Sequence, residues 1–184
     1  MFDLQGLNIY LIGMMGCGKS TIGPLLATQL GYNFLDTDTT IEKLVSQSIA
    51  ELFQTVGEPE FRQIETQVLA EISAHIRLVV STGGGIAIER ENWNHLHQGL
   101  VIWLDPAVDL LVERLQGDTT RPILATSEEL QPKLERIRSE RHHRYAEADI
   151  QISIDRPLAP EEIVDLILAK IPTVLKTPIA IPNC

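Results

Sequence analysis

Cysteine, basic residues and long apolar runs are all scarce in this sequence of 184 residues. Only Cys17 and Cys184 are present, so we expect no disulfide framework and a reducing compartment. No apolar run approaches the length of about 18 residues typical of a membrane span, and the opening MFDLQGLNIY lacks a basic region followed by an apolar stretch. We therefore expect a cytoplasmic protein that is neither secreted nor embedded in a membrane.

The charge balance is acidic. Fifteen Lys and Arg stand against 25 Asp and Glu, which gives a formal net charge of −10. Such a surface repels nucleic acid and acidic membranes unless a local basic patch intervenes, so we expect neither as a partner. We also expect a monomer. With 44% hydrophobic residues, the chain suffices for one domain, predicted over 1–171, followed by a proline-containing tail over 172–184.

Short apolar runs alternate with helical patterns along the chain. The predicted strands are LNIYLI, YNFLD, LVVST, GLVIWLD and DIQISI. Apolar stripes such as Phe61, Ile64, Val68 and Ile72 mark the helices between them, and Ile163, Leu166 and Ile167 mark the last one. This alternation predicts an α/β fold, a three-layer sandwich with five mostly parallel strands and helices on both faces, with ligands outside the carboxyl ends of the strands.

The stretch YLIGMMGCGKSTIG fits the phosphate-loop pattern G-x-x-x-x-G-K-[ST] between a strand and a helix. Its glycines let backbone N–H groups approach phosphates, its lysine offers a mobile charge to the outer phosphates, and its serine hydroxyl can ligate Mg²⁺. A chance glycine-rich turn is the alternative. The residues predicted to bind ATP here are Gly13, Gly16, Cys17, Gly18, Lys19, Ser20 and Thr21. Cys17 is either a small spacer or a thiol that reacts when the site is empty.

Two carboxylates, Asp36 and Asp38, follow the second predicted strand. Their spacing of two lets both side chains project toward the phosphate loop, with Asp36 linked to a metal ion and Asp38 on an acceptor hydroxyl. A turn and helix N-cap pair is the alternative. Farther along, Arg62 and Glu65 lie three apart on a helix, where they form a surface pair or aim the guanidinium into the cleft. The glycines of STGGG offer backbone amides to an oxygen-rich ligand.

Taken together, the segments GMMGCGKST, DTD, GEPEFRQIE, TGGG, VIWLD, RPIL and RHHRYAEAD resemble shikimate kinase over nearly the whole chain. The resemblance implies a fold like that of small nucleoside monophosphate kinases. It also implies phosphorylation of the 3-hydroxyl of shikimate by ATP with Mg²⁺, a step towards aromatic amino acids. An arginine-bound carboxylate substrate agrees with the chemistry, because a guanidinium meets a carboxylate bidentately.

The resemblance also implies roles for individual residues. Asp38 takes the place of the family's acidic residue on the acceptor hydroxyl, and Asp36 that of the residue near Mg²⁺. Arg62 and Arg141 match the two arginines on the shikimate carboxylate. The ring is lined by Gly83, Gly84 and Gly85. Arg121 matches the lid arginine, within a predicted mobile lid over about 116–126, and joins Lys19 and Asp38 as a predicted catalytic residue. Arg114 and Arg156 fall where the family holds adenine.

Two rival functions remain at this stage. A related small-molecule kinase, such as gluconate kinase, shares the phosphate loop and a nearby acidic motif. A non-catalytic relative that binds a nucleotide or a partner is the second rival. Arg62 with TGGG argues against the first, and the presence of Lys19, Asp38 and both acceptor arginines argues against the second.

Overall fold

The computed structural model describes residues 4–116 and 129–175. The strands are β1 Ile9–Ile12, β2 Asn33–Asp36, β3 Leu78–Ser81, β4 Leu100–Pro106 and β5 Ile150–Ile154. The helices are α1 Lys19–Leu30, α2 Thr37–Val45, α3 Ile49–Ser73, α4 Trp93–Leu96, α5 Val108–Leu115, α6 Leu130–Tyr145 and α7 Pro160–Val174, with a 3₁₀ turn at Arg90–Asn92. Within the described ranges, every helix is too short or too polar to cross a lipid bilayer.

The five strands form one parallel sheet in the order β2-β3-β1-β4-β5, which confirms the predicted α/β fold. All residues of β1 and β4 are buried, as expected for strands covered on both faces, whereas β5 at the edge alternates between buried and exposed. The chain leaves β1 toward β2 and later returns past β1 toward β4. Because parallel crossovers are right-handed, this reversal of direction places helices on both faces.

That reversal makes the carboxyl end of β1 the topological switch point of the sheet. In open α/β sheets the ligand crevice forms at such a point, outside the strand ends. The segments that follow β1, β2 and β3 therefore meet there, and these are the three stretches that the sequence marked as functional.

Helix α3 is interrupted at Gly57, where φ is 80° and ψ is 170°. Glycine tolerates this conformation, which lies outside the helical region and which residues with a Cβ rarely adopt. The second part of the helix carries the predicted apolar stripe: Phe61, Val68 and Ile72 are buried and Ile64 packs against the core. The stripe docks the helix and so fixes the direction of the polar side chains on its other faces.

The last helix differs from the sequence prediction in two details. It continues to Val174, three residues beyond the predicted end of the domain, because the buried Ile171 keeps its final turn attached to the core. Leu166, predicted on the apolar face, is 42% exposed, and Val164 is buried instead. The helix is thus rotated relative to the predicted stripe.

Candidate active site

The turn between β1 and α1 depends on its glycines. Gly13, Gly16 and Gly18 have φ values of 137°, 74° and 103°, a region that residues with a Cβ rarely adopt. A Cβ on Gly13 would also overlap the carbonyl oxygen of Leu104 on the neighbouring strand. The loop therefore has the strand–turn–helix setting that the phosphate-loop prediction requires.

Lys19 is buried at the start of α1 and folds back over this turn. Its Nζ donates hydrogen bonds to the carbonyl oxygens of Gly13, at 2.9 Å, and Met14, at 3.0 Å. It also lies 3.4 Å from the Sγ of Cys17. Cys17 is fully buried, which favours the small spacer of the two sequence alternatives over a thiol open to reagents.

A cluster of oxygen atoms lies where β2 and β3 end beside the loop. The hydroxyl of Ser20 donates to Asp36 Oδ2 at 2.7 Å and lies 3.1 Å from the hydroxyl of Ser81. The other carboxylate oxygen of Asp36 accepts from the backbone N–H of Thr39 and caps α2. The N-cap role and the position beside the loop, weighed as alternatives for Asp36, are therefore both observed. Hydroxyl and carboxylate oxygens are the ligands that Mg²⁺ prefers.

The three glycines after β3 are surrounded by charged groups. A Cβ on Gly83 would lie 2.5 Å from Glu65 Oε1 and 2.8 Å from Asp38 Oδ1. The N–H of Gly83 donates to the hydroxyl of Thr37 at 2.8 Å. A Cβ on Gly85 would overlap the guanidinium of Arg62. Glycine is therefore required here because the backbone passes in direct contact with the predicted acceptor-binding groups.

Arg62 is held between two carboxylates of its own helix. It donates to Glu65 at 2.5 Å and to Glu58 at 3.0 Å, and its side chain is only 14% exposed. The predicted pair forms, but it is buried and not a surface pair, and the guanidinium faces Gly85 as in the second interpretation. A planar donor fixed in this way is suited to bidentate contact with a carboxylate.

Burial sets the electrostatics of this pair. It raises the pKa of Glu65, and the nearby Asp38 charge adds to that rise, while Arg62 and Arg141 offset part of it. Burial acts to lower the pKa of Arg62, but the carboxylates of Glu65 and Glu58 outweigh it and leave that pKa above its ordinary value. The cleft therefore holds the permanently charged guanidinium of Arg62 beside the carboxyl group of Glu65, whose ionised form is disfavoured by burial.

Gly84 accepts two hydrogen bonds from α6. Arg141 Nη1 donates to its carbonyl oxygen at 2.9 Å, and the hydroxyl of Tyr145 donates to the same atom at 3.0 Å. Burial raises the pKa of Tyr145, partly offset by Arg141, so the phenol is a protonated donor at neutral pH. On its other side, Gly84 faces the phosphate loop, where a Cβ on this glycine would lie 3.4 Å from the backbone nitrogen of Met15.

A cavity of about 370 Å³ runs along the phosphate loop and reaches the glycine loop, residues 83–85, at Gly84. Among the described residues that line it are Lys19, Ser20, Asp36, Asp38 and Gly84. Arg114 also lines the cavity and donates to the carbonyl of Gly16 at 3.2 Å. The turn before α7 reaches it through Leu158 and Pro160, whereas the side chain of Arg156 is 73% exposed and lies 4.0 Å from Glu162. The phosphate loop thus lies between the glycine loop on one side and Arg114 with the start of α7 on the other.

The comparisons with known proteins agree with this arrangement. The family model described as shikimate kinase matches residues 15–172. A shikimate kinase of Rippkaea orientalis is 54% identical over 173 residues, which cover 94% of this chain and 92% of that protein. A solved shikimate kinase from Acinetobacter baumannii in complex with shikimate has a TM-score of 0.87 and 36% identity, covering 92% of this chain and 95% of the other.

The chain belongs to the shikimate kinase family. A deoxyadenosine kinase from M. mycoides with bound dATP, 16% identical with a TM-score of 0.58 over 90% of this chain and 99% of the other, shares the fold alone. Together these likenesses confirm the predicted P-loop α/β class with kinase-like neighbours.

The structure brings most of the sequence-predicted site residues of this shikimate kinase family member together. The phosphate loop, Asp36, Asp38, Arg62, Arg141 and the three glycines all meet at the switch point. Arg121 and nearly all of the predicted lid over 116–126 lie outside the described residues. Arg156 lies in the predicted turn before α7, but its side chain is exposed to solvent.

Sequence reasoning missed Ser81 and Tyr145. Ser81 precedes the TGGG segment by one residue, and a hydroxyl at the end of β3 was a usable signal. Tyr145 lies four residues after Arg141, a spacing that places two helical side chains on the same face.

Proposed function

We propose that this protein transfers the γ-phosphoryl group of ATP to the 3-hydroxyl of shikimate. The observation that carries the proposal is the position of the glycine loop, whose backbone contacts Asp38, Arg62, Arg141 and the phosphate loop within one short turn. The glycine loop is surrounded by two arginines and a carboxylate. The arginines can bind a carboxylate of the acceptor, and the carboxylate can bind one of its hydroxyl groups. An anionic acceptor also explains arginines at the cleft of a chain with net charge −10.

In this proposal Asp38 orients the acceptor hydroxyl and accepts its proton. Its carboxylate lies beside Gly83, on the edge of the cavity that also contains the loop. Lys19 releases its carbonyl contacts in part and stabilises the outer phosphates. Phosphoryl transfer needs little covalent chemistry from the protein, so positioning and charge stabilisation supply most of the catalysis.

Ser20 and Asp36 are the residues proposed to hold Mg²⁺. Their two oxygen atoms are 2.7 Å apart beside the phosphate loop, and both are hard donors, which fits this ion. When bound, Mg²⁺ neutralises charge on the transferring phosphate. Ser81, 3.1 Å from Ser20, orients the serine hydroxyl.

The adenine side is assigned to Arg114 and to the turn that contains Arg156. Arg114 lies against the loop, whereas Arg156 has to swing in from solvent to contact the nucleotide. Arg121 is assigned to the transferring phosphate on the sequence resemblance alone. The net charge of −10 supports action as a monomer without nucleic acid, and the scarcity of cysteine supports a cytoplasmic location.

A coupled assay of ADP release tests the proposal. ATP, Mg²⁺ and the full chain are incubated with shikimate, with gluconate or with no acceptor. The proposal predicts ADP release only with shikimate. Release with gluconate alone would favour the related small-molecule kinase, and ATP binding without release for either acceptor would favour a non-catalytic relative.

A further inference from the structure

The carbonyl oxygen of Gly84 is the point where α6 contacts the acceptor loop. Both of its donors come from α6, Arg141 at 2.9 Å and Tyr145 at 3.0 Å, and together they occupy both lone pairs of the oxygen. The neighbouring Gly83 and Gly85 have no side chains that could fix the loop by packing. The turn is therefore held by hydrogen bonds, with the N–H of Gly83 bonded to Thr37 on one side and the carbonyl of Gly84 bonded to α6 on the other.

Tyr145 is well suited to act as a fixed anchor. Its side chain is 1% exposed, and its ring packs on Trp103 of β4 with a centroid distance of 5.6 Å. Two turns earlier on its own helix, Arg138 is paired with Asp105 of the same strand at 3.0 Å. The phenol is thus attached to the sheet through both its ring and its helix.

Arg141 is a different kind of donor. On the proposed function, its guanidinium also binds the substrate carboxylate, so its contact with Gly84 competes with a ligand contact. Arginine has five N–H donors on a flexible stem and can shift between partners, whereas the tyrosine hydroxyl cannot leave the loop without moving a buried ring.

We infer that Tyr145 is a positioning residue for the acceptor, holding the Gly84 carbonyl so that the glycine loop stays in register with Asp38 and Arg62 when Arg141 engages the substrate. The inference rests on the proposed function. Tyr145 itself touches the loop backbone and not the reacting atoms. Its hydroxyl therefore sets how well shikimate is bound and has little influence on ATP.

The test compares Tyr145→Phe with Tyr10→Phe. Tyr10 is also fully buried, but its hydroxyl accepts a hydrogen bond from Asn8 near the start of β1. Both changes remove one buried hydroxyl and keep the ring. Loss of one neutral hydrogen bond predicts that the shikimate KM of Tyr145→Phe rises about 3- to 10-fold, with the ATP KM within about twofold of wild type. Tyr10→Phe should leave both KM values unchanged.

A merely structural role gives a different pattern. Partial unfolding lowers the amount of active enzyme, so kcat falls while both KM values stay constant, and that result would overturn the inference. Unchanged kinetics in Tyr145→Phe would overturn it as well.

Hydrogen exchange of the unliganded full chain gives an independent readout. Peptides covering 82–88 should exchange faster in Tyr145→Phe than in wild type or Tyr10→Phe, and equal exchange in all three would contradict the anchor. This measurement does not require the enzyme to be active. If wild type released no ADP with shikimate, the proposed function would fail, while the exchange result would still decide whether Tyr145 holds the loop.

Discussion

The guanidinium of Arg62 donates a 2.5 Å hydrogen bond to the carboxylate of Glu65, which lies one turn later on α3 and is 2% exposed. Two consequences follow from this pair. Arg62 is fixed in direction beside Gly85, and Glu65 is kept in a buried position that it would not tolerate alone. The acceptor side of the cleft therefore depends on a guanidinium fork, not simply on a positive charge.

Replacing Arg62 by lysine should separate the contribution of the planar guanidinium from the contribution of its positive charge. Lysine keeps the cation but cannot hold Glu65 and a substrate carboxylate at once, so we expect the shikimate KM to rise about 10- to 100-fold. Steady-state kinetics at saturating ATP measure this. Arg136→Lys, on the exposed face of α6, is the control and should behave like wild type. An unchanged shikimate KM for Arg62→Lys would exclude the clamp.

Glu65 should make the stability of the fold depend on pH. Its folded-state pKa is raised above the ordinary value of a glutamate, chiefly by burial, so the folded state binds the proton more tightly than the unfolded state. Its stabilising contribution is therefore fully present below about pH 4.5 and is lost as the pH rises through the folded pKa, with a slope of at most about 1.4 kcal/mol per pH unit.

Urea unfolding of wild type and Glu65→Gln at several pH values checks this sign. The wild-type free energy of unfolding, relative to that of Glu65→Gln, should decrease as the pH rises from below 4.5 toward neutrality. A difference that stays constant, or that increases with pH, would show that burial does not dominate the pKa of Glu65.

Asp38→Asn keeps the shape of the side chain beside Gly83 and removes its charge. Without an acceptor for the hydroxyl proton, we expect turnover to fall about 10²- to 10⁴-fold with the ATP KM nearly unchanged. Single-turnover and steady-state rates provide the measurement. Asp165→Asn on the exposed face of α7 is the matched control. Turnover near that of wild type would remove Asp38 from its proposed role.

Ser20→Ala should affect the metal ion. The substitution removes one proposed ligand and the 2.7 Å hydrogen bond to Asp36, so the Mg²⁺ concentration needed for half-maximal activity should rise about 10- to 100-fold. Calorimetric titration of ATP with and without Mg²⁺ checks the effect without relying on turnover. Ser73→Ala at the end of α3 serves as the control. Equal Mg²⁺ dependence in both variants would place the ion elsewhere.

The parts of the fold and site that the sequence predicted well are those encoded locally. The phosphate loop is one example, because its glycines adopt positive φ within a single turn, and the Phe61 to Ile72 stripe is another. The parallel sheet was also predicted, because strands that alternate with helices run parallel. Leu166 was misplaced because periodicity alone does not fix the rotation of a helix, and Val164 fills the core instead.

The contacts that the sequence did not predict join distant segments. Tyr145 and Gly84 are 61 residues apart, and nothing local to either one indicates that their polar atoms meet. Asp36 was difficult to assign for a different reason. Its side chain both caps α2 and accepts a hydrogen bond from Ser20, so the N-cap role and the position beside the phosphate loop, which the sequence offered as alternatives, occur together.

The most direct test of the central claim is the identity of the product. ATP and shikimate are incubated with the full chain and Mg²⁺, and the product is examined by phosphorus and proton NMR. The proposed function predicts one monophosphate ester, with the phosphorus coupled to the proton on the carbon that bears the 3-hydroxyl, formed in equal amount with ADP. ADP released without a phosphorylated acceptor, or an ester on another hydroxyl, would contradict it.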